Sequence, residues 1–312
     1  MDRKRVSRTM SLLSIAILAI LCVVSSSLAS DARSWRHVIS RVQKSVVFLG
    51  AKSKTGQPAF KASAVIIQVN GVLHLLTAKH VIAEQRDGRF TGRLTDDPLI
   101  AYFNNKDGTV AQRSIGELKK ELQVEWVFHS RPEVDLAILP FGINEAMDDV
   151  LAVPDSMFLG ISSLTELTNV FFVSYQPGLV TNDRIRPIYR VGTVSLVLPD
   201  KTFYIDGAAF PGNSGSPVFV RPEPTGFADS GPPVFPAPNS GKFVGIVGEY
   251  LPYQEVAISS QTQRPRVVFE EHTGLSRVWS IDLIQEIINS SSFRAQLMRL
   301  KRAWGSVEKQ RP

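Results

Sequence analysis

The chain has 312 residues, of which 44% are hydrophobic and 21% are charged, as expected for a globular protein that buries a core. The formal net charge is +6. Half of it comes from the first thirty residues, which hold four basic side chains and one acid, Asp2. The other half is spread along the rest of the chain without a long basic run, so we expect no nucleic-acid partner.

The N-terminus has the pattern of a secretory signal peptide: a basic start, an apolar run over Leu12–Val24, and small residues at Ser27 and Ala29. We predict a signal segment over residues 1–29, with cleavage after Ala29. An uncleaved membrane anchor over residues 10–29 is the alternative, because that stretch approaches the ~20 residues that span a bilayer. Both interpretations place the rest of the chain outside the cytoplasm, where it is periplasmic, secreted or anchored to the inner membrane.

The chain has one cysteine, Cys22, inside the apolar export segment. The mature part therefore has no disulfide, no thiol nucleophile and no cysteine-based metal site. Lipid attachment at Cys22 is disfavoured, because Leu21 before it does not match the small residue that such processing prefers. An exported domain without disulfides suits a bacterial cell envelope better than the extracellular space.

After the export segment, the pattern first predicts a short amphipathic helix and then strands. The apolar positions of the helix are Trp35, Val38, Ile39 and Val42. An apolar strand follows over Ser45–Ala51. Two further apolar runs, 64–69 and 72–76, are joined by Asn70-Gly71, a strong hairpin signal because both turn positions need positive φ.

Short strand candidates follow at regular spacing, which is typical of β-barrels and sandwiches. They cover residues 99–103, 123–128, 135–140, 169–175, 190–198, 202–205, 218–220 and 243–247. Residues 221–241 are rich in Pro and Gly and predict a long loop. The chain ends in helix, with Ser280 as the predicted N-cap and a polar tail from Ser306.

Three residues offer the groups that acyl transfer by serine needs: a base, a carboxylate that orients it, and backbone N–H groups for the oxyanion. Ser214 lies between two glycines in a tight, open turn. His80 follows an apolar strand, and Asp135 stands in an apolar run, where an unpaired carboxylate is costly. Taken singly, each also has a structural interpretation: a surface turn, a structural histidine and a strand-edge aspartate.

Together, the three sites share their order and local sequence with a known family. Residues 76–81 (LTAKHV), 134–139 (VDLAIL) and 206–217 (DGAAFPGNSGSP) resemble the histidine, aspartate and serine motifs of chymotrypsin-like serine peptidases. The closest resemblance is to the bacterial HtrA/Deg-type protease domain. Residues 190–195 and 273–278 look like two of that family's strands.

The resemblance implies an all-β fold, a chymotrypsin-like pair of six-stranded β-barrels with a C-terminal helix. His80 and Asp135 would come from the first barrel and Ser214 from the second. The predicted organisation is a signal segment 1–29, an N-terminal barrel 35–148, a C-terminal barrel 149–281, a helical segment 282–304 and a tail 305–312.

The resemblance also implies the roles of the site residues. His80 would be the general base towards Ser214, Asp135 would orient it, and the N–H groups of Gly212 and Ser214 would form the oxyanion hole. The base of the specificity pocket would be Ala208, and its walls would be Gly248, Glu249, Tyr250, Thr273 and Gly274. Because Ala208 carries no charge, we expect a small or medium apolar side chain in this pocket rather than Lys or Arg.

Several features depart from the family pattern. The serine motif with Ser216 also resembles glutamyl endopeptidases, which use a histidine near the next strand, but residues 244–250 contain none. We therefore do not expect specificity for Glu. Lys79 beside His80 predicts a lowered pKa of that histidine. Residues 62–65 carry alanine where relatives have glycine, and too few residues follow the protease region for a PDZ domain.

Other functional classes were weighed against the peptidase. A latent or non-catalytic binding protein or chaperone on the same fold is the main alternative, although an intact triad favours an enzyme. A lipase or esterase is disfavoured, because those enzymes use a Gly-x-Ser-x-Gly elbow and the order Ser, Asp, His. No His-Glu-x-x-His occurs, which disfavours a metalloprotease, and we expect no metal and no cofactor. The expected partner is a protein or peptide substrate, with a membrane only if the N-terminal segment is uncleaved.

Overall fold

The computed structural model describes residues 38–52, 58–86, 89–175, 184–223, 226–227, 233–234 and 239–308. The predicted signal segment 1–29, Trp35 and part of the predicted loop 221–241 lie outside these ranges. None of the helices in the described ranges combines the length and the apolar character needed to cross a membrane.

The N-terminal half is a β-sheet with few helical residues. Its elements are α1 (residues 38–45), β1 (Val46–Lys52), β2 (Pro58–Val69), β3 (Val72–Thr77), β4 (Ala83–Arg86), β5 (Arg89–Leu94), β6 (Ile100–Asn104), β7 (Val110–Ser114), α2 (Ile115–Leu122), β8 (Val127–Phe128), β9 (Ala137–Pro140) and β10 (Val153–Pro154). The main sheet has the order β7-β6-β1-β2-β3-β9-β8, with β10 parallel to β2. Strands β4 and β5 form a separate pair.

This sheet differs in detail from the six-stranded barrel that the resemblance implies. Within the described residues it has eight strands, and the pairing path ends at β7 and β8 instead of closing. Helix α2 intervenes in the chain between these two strands. Strand β8 has only two residues, both paired with β9, so it offers little backbone to close the ring.

The C-terminal half is a closed barrel followed by two helices. Its elements are β11 (Asn169–Ser174), β12 (Ile188–Val197), β13 (Thr202–Asp206), β14 (Pro217–Val220), β15 (Gly226–Phe227), β16 (Pro233–Val234), β17 (Phe243–Ile258), β18 (Pro265–Ser280), α3 (Ile281–Asn289) and α4 (Ser291–Glu308). The six barrel strands have the order β11-β12-β13-β18-β17-β14. Outside the compact unit formed by residues 42–221 and 239–312, β15 and β16 form an antiparallel pair of their own.

The barrel is held by an apolar interior. Its buried members include Phe172, Phe203, Val244 and Val278, each 0% exposed. In β11, β13 and β14, alternate residues supply this interior, as the period of two along a strand requires. The all-β class, the closed six-stranded barrel and the C-terminal helix are thus as predicted.

The predicted hairpin between β2 and β3 is confirmed. Val69 pairs with Val72, and the two turn residues have positive φ, 51° at Asn70 and 82° at Gly71. This is the backbone that a two-residue hairpin needs. The hairpin sets the register of β3, and β3 leads directly to His80.

The C-terminal helices pack back on the body of the protein. In α4, Phe293 is buried, and its ring centroid lies 4.8 Å from that of His74 in β3. The side chain of Gln296 accepts from the N–H of Glu125 and donates to its carbonyl, both at 2.9 Å. Ser280 occupies the N-cap position of α3, but its hydroxyl makes no capping bond. Helix α4 ends four residues beyond the predicted limit at 304.

Candidate active site

His80 and Asp135 are brought together by the pairing of β3 with β9. Thr77 pairs with Ala137, so the chain that leaves β3 and the chain that enters β9 lie side by side. Asp135 Oδ2 lies 2.6 Å from His80 Nδ1, and Asp135 Oδ1 accepts from the backbone N–H of His80 at 2.8 Å. These two bonds fix both the ring and the backbone of His80. Because Nδ1–H donates to the carboxylate, Nε2 is left as the acceptor.

The surroundings of His80 raise its pKa above the ordinary value of 6.5. Burial is the largest single influence and lowers the pKa. The hydrogen bond and charge of Asp135, with a further contribution from the charge of Glu249, together outweigh it. The carboxylate therefore stabilises the imidazolium that forms when His80 takes up a proton.

Lys79 does not have the effect that its position in the sequence predicts. Its ammonium lies 4.0 Å from the ring centroid of Phe90 and 5.3 Å from that of Phe128. It also donates to the carbonyl of Pro132 at 3.4 Å. Lys79 is not among the influences on the pKa of His80, and the net shift of that pKa is upwards, so the predicted lowering is wrong.

The chain before Ser214 forms a type II β-turn. The N–H of Asn213 donates to the carbonyl of Phe210 at 2.9 Å, and Gly212 has a φ of 97°. A type II turn requires positive φ at its third residue and favours proline at its second, which here is Pro211. The buried side chain of Asn213 accepts from the N–H of Phe210 at 2.9 Å, which fixes the turn.

Ser63, in β2, anchors the serine loop. Its N–H donates to the carbonyl of Ser214 at 2.9 Å, and its hydroxyl donates to the carbonyl of Gly212 at 3.1 Å. Thr77 in turn donates to the carbonyl of Ser63 at 2.8 Å. A Cβ at Gly215, whose φ is 81°, would overlap the carbonyl oxygen of Ser63 and the hydroxyl of Thr77. Only glycine therefore allows this close approach after Ser214.

The turn leaves two N–H groups unused. The N–H of Asn213 is bonded within the turn, and that of Gly215 donates to the carbonyl of Val247 at 2.7 Å. For the N–H groups of Gly212 and Ser214, the described part of the chain supplies no acceptor. These are the two donors predicted for the oxyanion hole.

His80 and Ser214 open onto one cavity of about 220 Å³. Its walls are formed by His80, Gln85, Ala209, Phe210, Pro211, Ser214, Val247, Gly248, Glu249 and Tyr250. Within the described residues, no hydrogen bond joins the hydroxyl of Ser214 to His80. The two residues thus line the same space, with no hydrogen bond between them in the described structure.

Comparison with the profiles of known protein families identifies the family of this chain. The profile of the trypsin-like peptidase domain matches residues 62–222, which is more than half of the chain. The chain belongs to this family. The matched residues contain His80, Asp135 and Ser214, and the family predicted from the three motifs is confirmed.

Comparisons with solved structures and with curated proteins give less information than the family profile. A solved structure that this trypsin-like peptidase resembles is the serine endoprotease from Yersinia pestis, with 15% sequence identity and a TM-score of 0.45. The match covers 83% of this chain and 66% of that chain, just under two thirds of its length. No curated protein matches the sequence significantly.

The cavity of this trypsin-like peptidase contains only part of the predicted specificity pocket. Gly248, Glu249 and Tyr250 line it as predicted. Among the described residues, Ala208, Thr273 and Gly274 are not part of its wall. Ala209 and Phe210, which stand directly before Pro211, form part of the wall instead.

Sequence reasoning missed His272, which supports this wall. Its Nδ1 accepts from the N–H of Gly274 at 2.8 Å, so Nε2 donates to the carbonyl of Ala209 at 2.6 Å. Its ring stacks on Tyr250 with centroids 4.8 Å apart. His272 lies in β18, outside the stretch 244–250 in which the resemblance to glutamyl endopeptidases would place a histidine. The sequence does place His272 directly before Thr273, a predicted wall residue, and this position indicates that the histidine lies near the pocket.

Proposed function

We propose that this protein is a serine endopeptidase with His80, Asp135 and Ser214 as its catalytic triad. The observation that carries the proposal is the pair of hydrogen bonds that Asp135 accepts from His80, beside a cavity that His80 and Ser214 share. Membership of the trypsin-like peptidase family supports it.

The mechanism follows from the positions of the groups. The hydroxyl of Ser214 attacks the carbonyl carbon of the peptide bond, and Nε2 of His80 takes its proton. The negative charge on the carbonyl oxygen is met by the N–H groups of Gly212 and Ser214. His80 then gives the proton to the departing amine, and a water molecule, activated by the same histidine, releases the acyl group from Ser214.

We propose that the specificity pocket accepts a small or medium apolar side chain. Phe210 and Val247 give the cavity an apolar lining. The acid at its rim, Glu249, is 63% exposed and lies 3.6 Å from Arg277. Because solvent and this arginine screen it, Glu249 is a weak anchor for Lys or Arg.

We further propose that the enzyme acts outside the cytoplasm, in protein processing or quality control. The support is the signal-like pattern of residues 1–29. The periplasm is the favoured compartment, because the predicted mature chain has no cysteine. Fractionation of cells that express the full chain, followed by N-terminal sequencing, tests both the compartment and the predicted cut after Ala29.

A latent state or a binding protein on the protease fold is the second candidate. One observation favours it: in the described structure, Ser214 makes no hydrogen bond to His80. Contacts of this kind often tighten only when substrate binds, so the peptidase remains the first proposal.

Digestion of a peptide library tests the two candidates. We expect the wild type to release fragments with small or medium apolar residues before the cut, and Ser214→Ala to release none. A strong preference for Arg over Val would contradict the proposed pocket. Equal digestion by wild type and Ser214→Ala would contradict the proposed nucleophile.

A further inference from the structure

The last two barrel strands continue beyond the barrel as an arm, defined here as residues 251–272. Strand β17 pairs with β14 only as far as Ile246, and β18 pairs with β13 only from Leu275 onwards. Within the described residues, the two strands of the arm pair only with each other. Each strand of the arm therefore has an open outer edge, and an open edge is a template for another strand.

The open edge of β18 carries a segment with a distinct order of charges, Arg266-Val267-Val268-Phe269-Glu270. A basic residue begins it, three apolar residues follow, and an acid ends it. The three apolar side chains are exposed, Val267 by 51% and Val268 and Phe269 by 55% each. A contiguous group of exposed apolar side chains marks a surface that another protein covers.

This segment is complementary to itself when two copies run antiparallel. In a two-fold pairing centred on Val268, that residue faces its own copy, and Val267 faces Phe269. Arg266 of each copy then lies opposite Glu270 of the other. Opposite charges and apolar side chains in directly opposed positions both stabilise a pair of strands. The order of the five residues therefore fits a second copy of the same chain.

The backbone of Val268 faces the open edge. At the tip of the arm, the N–H of Ser259 donates to the carbonyl of Arg264 at 3.0 Å, so Ser259 faces inwards, towards β18. Because backbone groups alternate between the two sides of a strand, Ala257 also faces inwards and Val256 faces outwards. Opposed residues either exchange their backbone bonds or direct them away from each other. Val268, the partner of Val256, therefore directs its N–H and C=O groups to the outer edge of β18.

Glu270 is held in position for a cation. One carboxylate oxygen accepts from the hydroxyl of Tyr250, and the other accepts from the side-chain amide of Gln254 at 3.0 Å. These two bonds lower the pKa of Glu270, so its carboxylate is charged near neutral pH. Arg266, in contrast, forms no ion pair with an acid of the described chain. A fixed acid and an arginine without an ion-pair partner thus stand at the two ends of one segment.

The open edge of β17 lacks this complementarity. Between Leu251 and Ile258, its only charged residue is Glu255. Any two-fold pairing of this stretch with itself brings Glu255 opposite an uncharged side chain or opposite the Glu255 of the second copy. Charge therefore selects the edge of β18.

We propose that the protein forms a two-fold symmetric dimer in which the β18 edges of two arms pair antiparallel, centred on Val268. The two arms then form one four-stranded sheet with the order β17-β18-β18-β17. Because the paired edge is short, the dimer is weak and dissociates at micromolar concentrations. Glu270 bonds to Tyr250, which lines the cavity, so the dimer contact lies beside the candidate active site. The proposal does not depend on the peptidase function.

Sedimentation of the purified exported protein tests the proposal. We expect the weight-average mass to rise from that of one protomer towards that of two across a micromolar concentration series. Arg266→Glu and Glu270→Arg each place like charges opposite each other at both ends of the paired segment. Each variant should therefore weaken the dimer at least about tenfold.

Mixing the two charge variants separates a contact between these residues from a loss of folding. An equimolar mixture of Arg266→Glu and Glu270→Arg should dimerise like the wild type, because opposite charges then face each other at both ends of the segment. Glu271→Arg is the matched control. It makes the same change of charge at the next residue, opposite Pro265 of the second copy, and should change the dimer affinity by less than about twofold.

Val268 and Val256 provide a matched pair of proline variants. They are direct cross-strand partners whose N–H groups face opposite outer edges, so neither substitution removes a bond between β17 and β18. Proline is tolerated at a strand edge but cannot donate to an added strand. We expect Val268→Pro to weaken the dimer at least about tenfold and Val256→Pro to change it by less than about twofold. Circular dichroism and urea midpoints establish that the variants are folded.

Four results would overturn the proposal. The first two are the mass of one protomer at every concentration up to the high micromolar range, and a mixture of the charge variants that stays monomeric. The third is an equal effect of Val268→Pro and Val256→Pro, which would assign the contact to another surface. The fourth is a dimer that persists when Asn-Gly replaces residues 255–269 and joins the paired residues Gln254 and Glu270.

Discussion

Asp135 holds His80 at two points, with Oδ2 2.6 Å from the ring Nδ1 and Oδ1 2.8 Å from the backbone nitrogen. The carboxylate is largely buried, with 11% of its side chain exposed, whereas the side chain of His80 is 31% exposed. One buried acid thus sets the tautomer, the orientation and the charge preference of His80, the one histidine that lines the cavity among the described residues.

The first prediction concerns this pair. In Asp135→Asn, the amide can donate to Nδ1, which favours the wrong tautomer of His80. We expect kcat for a peptide substrate to fall about 10⁴-fold, with the fold retained. Glu133→Gln, whose carboxylate is exposed, is the control and should keep wild-type kcat. A loss of less than tenfold in Asp135→Asn would contradict the assigned role.

The second prediction concerns pH. The base must be neutral to accept a proton, and the pKa of His80 is raised above 6.5. kcat/KM should therefore decline as the pH falls through a value above 6.5. Glu249→Gln removes one of the charges that raise this pKa, so the decline should move to lower pH. The control is Glu117→Gln, on α2, which should leave the pH of this decline unchanged. A decline that moves to higher pH in Glu249→Gln would contradict the proposed effect of Glu249 on the pKa of His80.

The third prediction concerns Ser63 as a positioning residue. Ser63→Ala keeps the backbone bond to Ser214 and removes two bonds of the hydroxyl, the one donated to the carbonyl of Gly212 at 3.1 Å and the longer one accepted from the N–H of Tyr175 at 3.4 Å. We expect kcat to fall about fivefold with KM unchanged, corresponding to about 1 kcal/mol for the shorter of the two bonds. The control is Ser174→Ala, because Ser174 is equally buried and its hydroxyl has no partner in the described structure. Equal effects of the two variants on kcat would show that Ser63 has only a packing role.

The fourth prediction concerns stability. Asp96, whose side chain is 3% exposed, lies 2.9 Å from Lys119 Nζ and accepts from Trp126 Nε1 at 2.8 Å. Asp96→Ala leaves the indole N–H of Trp126 without its acceptor and leaves Lys119 with only the exposed Glu125, so the free energy of unfolding should fall by about 3 kcal/mol. Glu125→Ala removes the exposed partner of the same lysine and should cost less than about 1 kcal/mol. Urea denaturation measures the free energy of unfolding of both variants. Similar losses of stability in the two would contradict the structural role assigned to the buried Asp96.

The sequence predicts the part of the site that depends on short local motifs. The His80 corner, the turn before Ser214 and the hairpin at Asn70-Gly71 follow from a few adjacent residues, because tight turns restrict which residues fit. The pocket wall was predicted less well. His272 belongs to β18 and contacts the pocket wall by stacking its ring on Tyr250. The two residues are 22 positions apart, so no local sequence pattern predicts this contact.

The arm was missed for a related reason. The predicted strand ended at Val247, whereas β17 continues to Ile258. Neither face of the arm packs on the core, so its residues lack the alternation of apolar and polar side chains that marks a half-buried strand. Pro252 and Pro265 weaken the strand signal further, although proline is tolerated at a strand edge.

The most direct test of the central claim is labelling of the purified exported protein with a fluorophosphonate, which reacts with a serine activated by a neighbouring base. The account predicts labelling of the wild type on Ser214, located by mass spectrometry, and none in Ser214→Ala or His80→Ala. A folded wild type that takes up no label, or equal labelling in the His80→Ala protein, would contradict an assembled triad and favour the latent or binding protein.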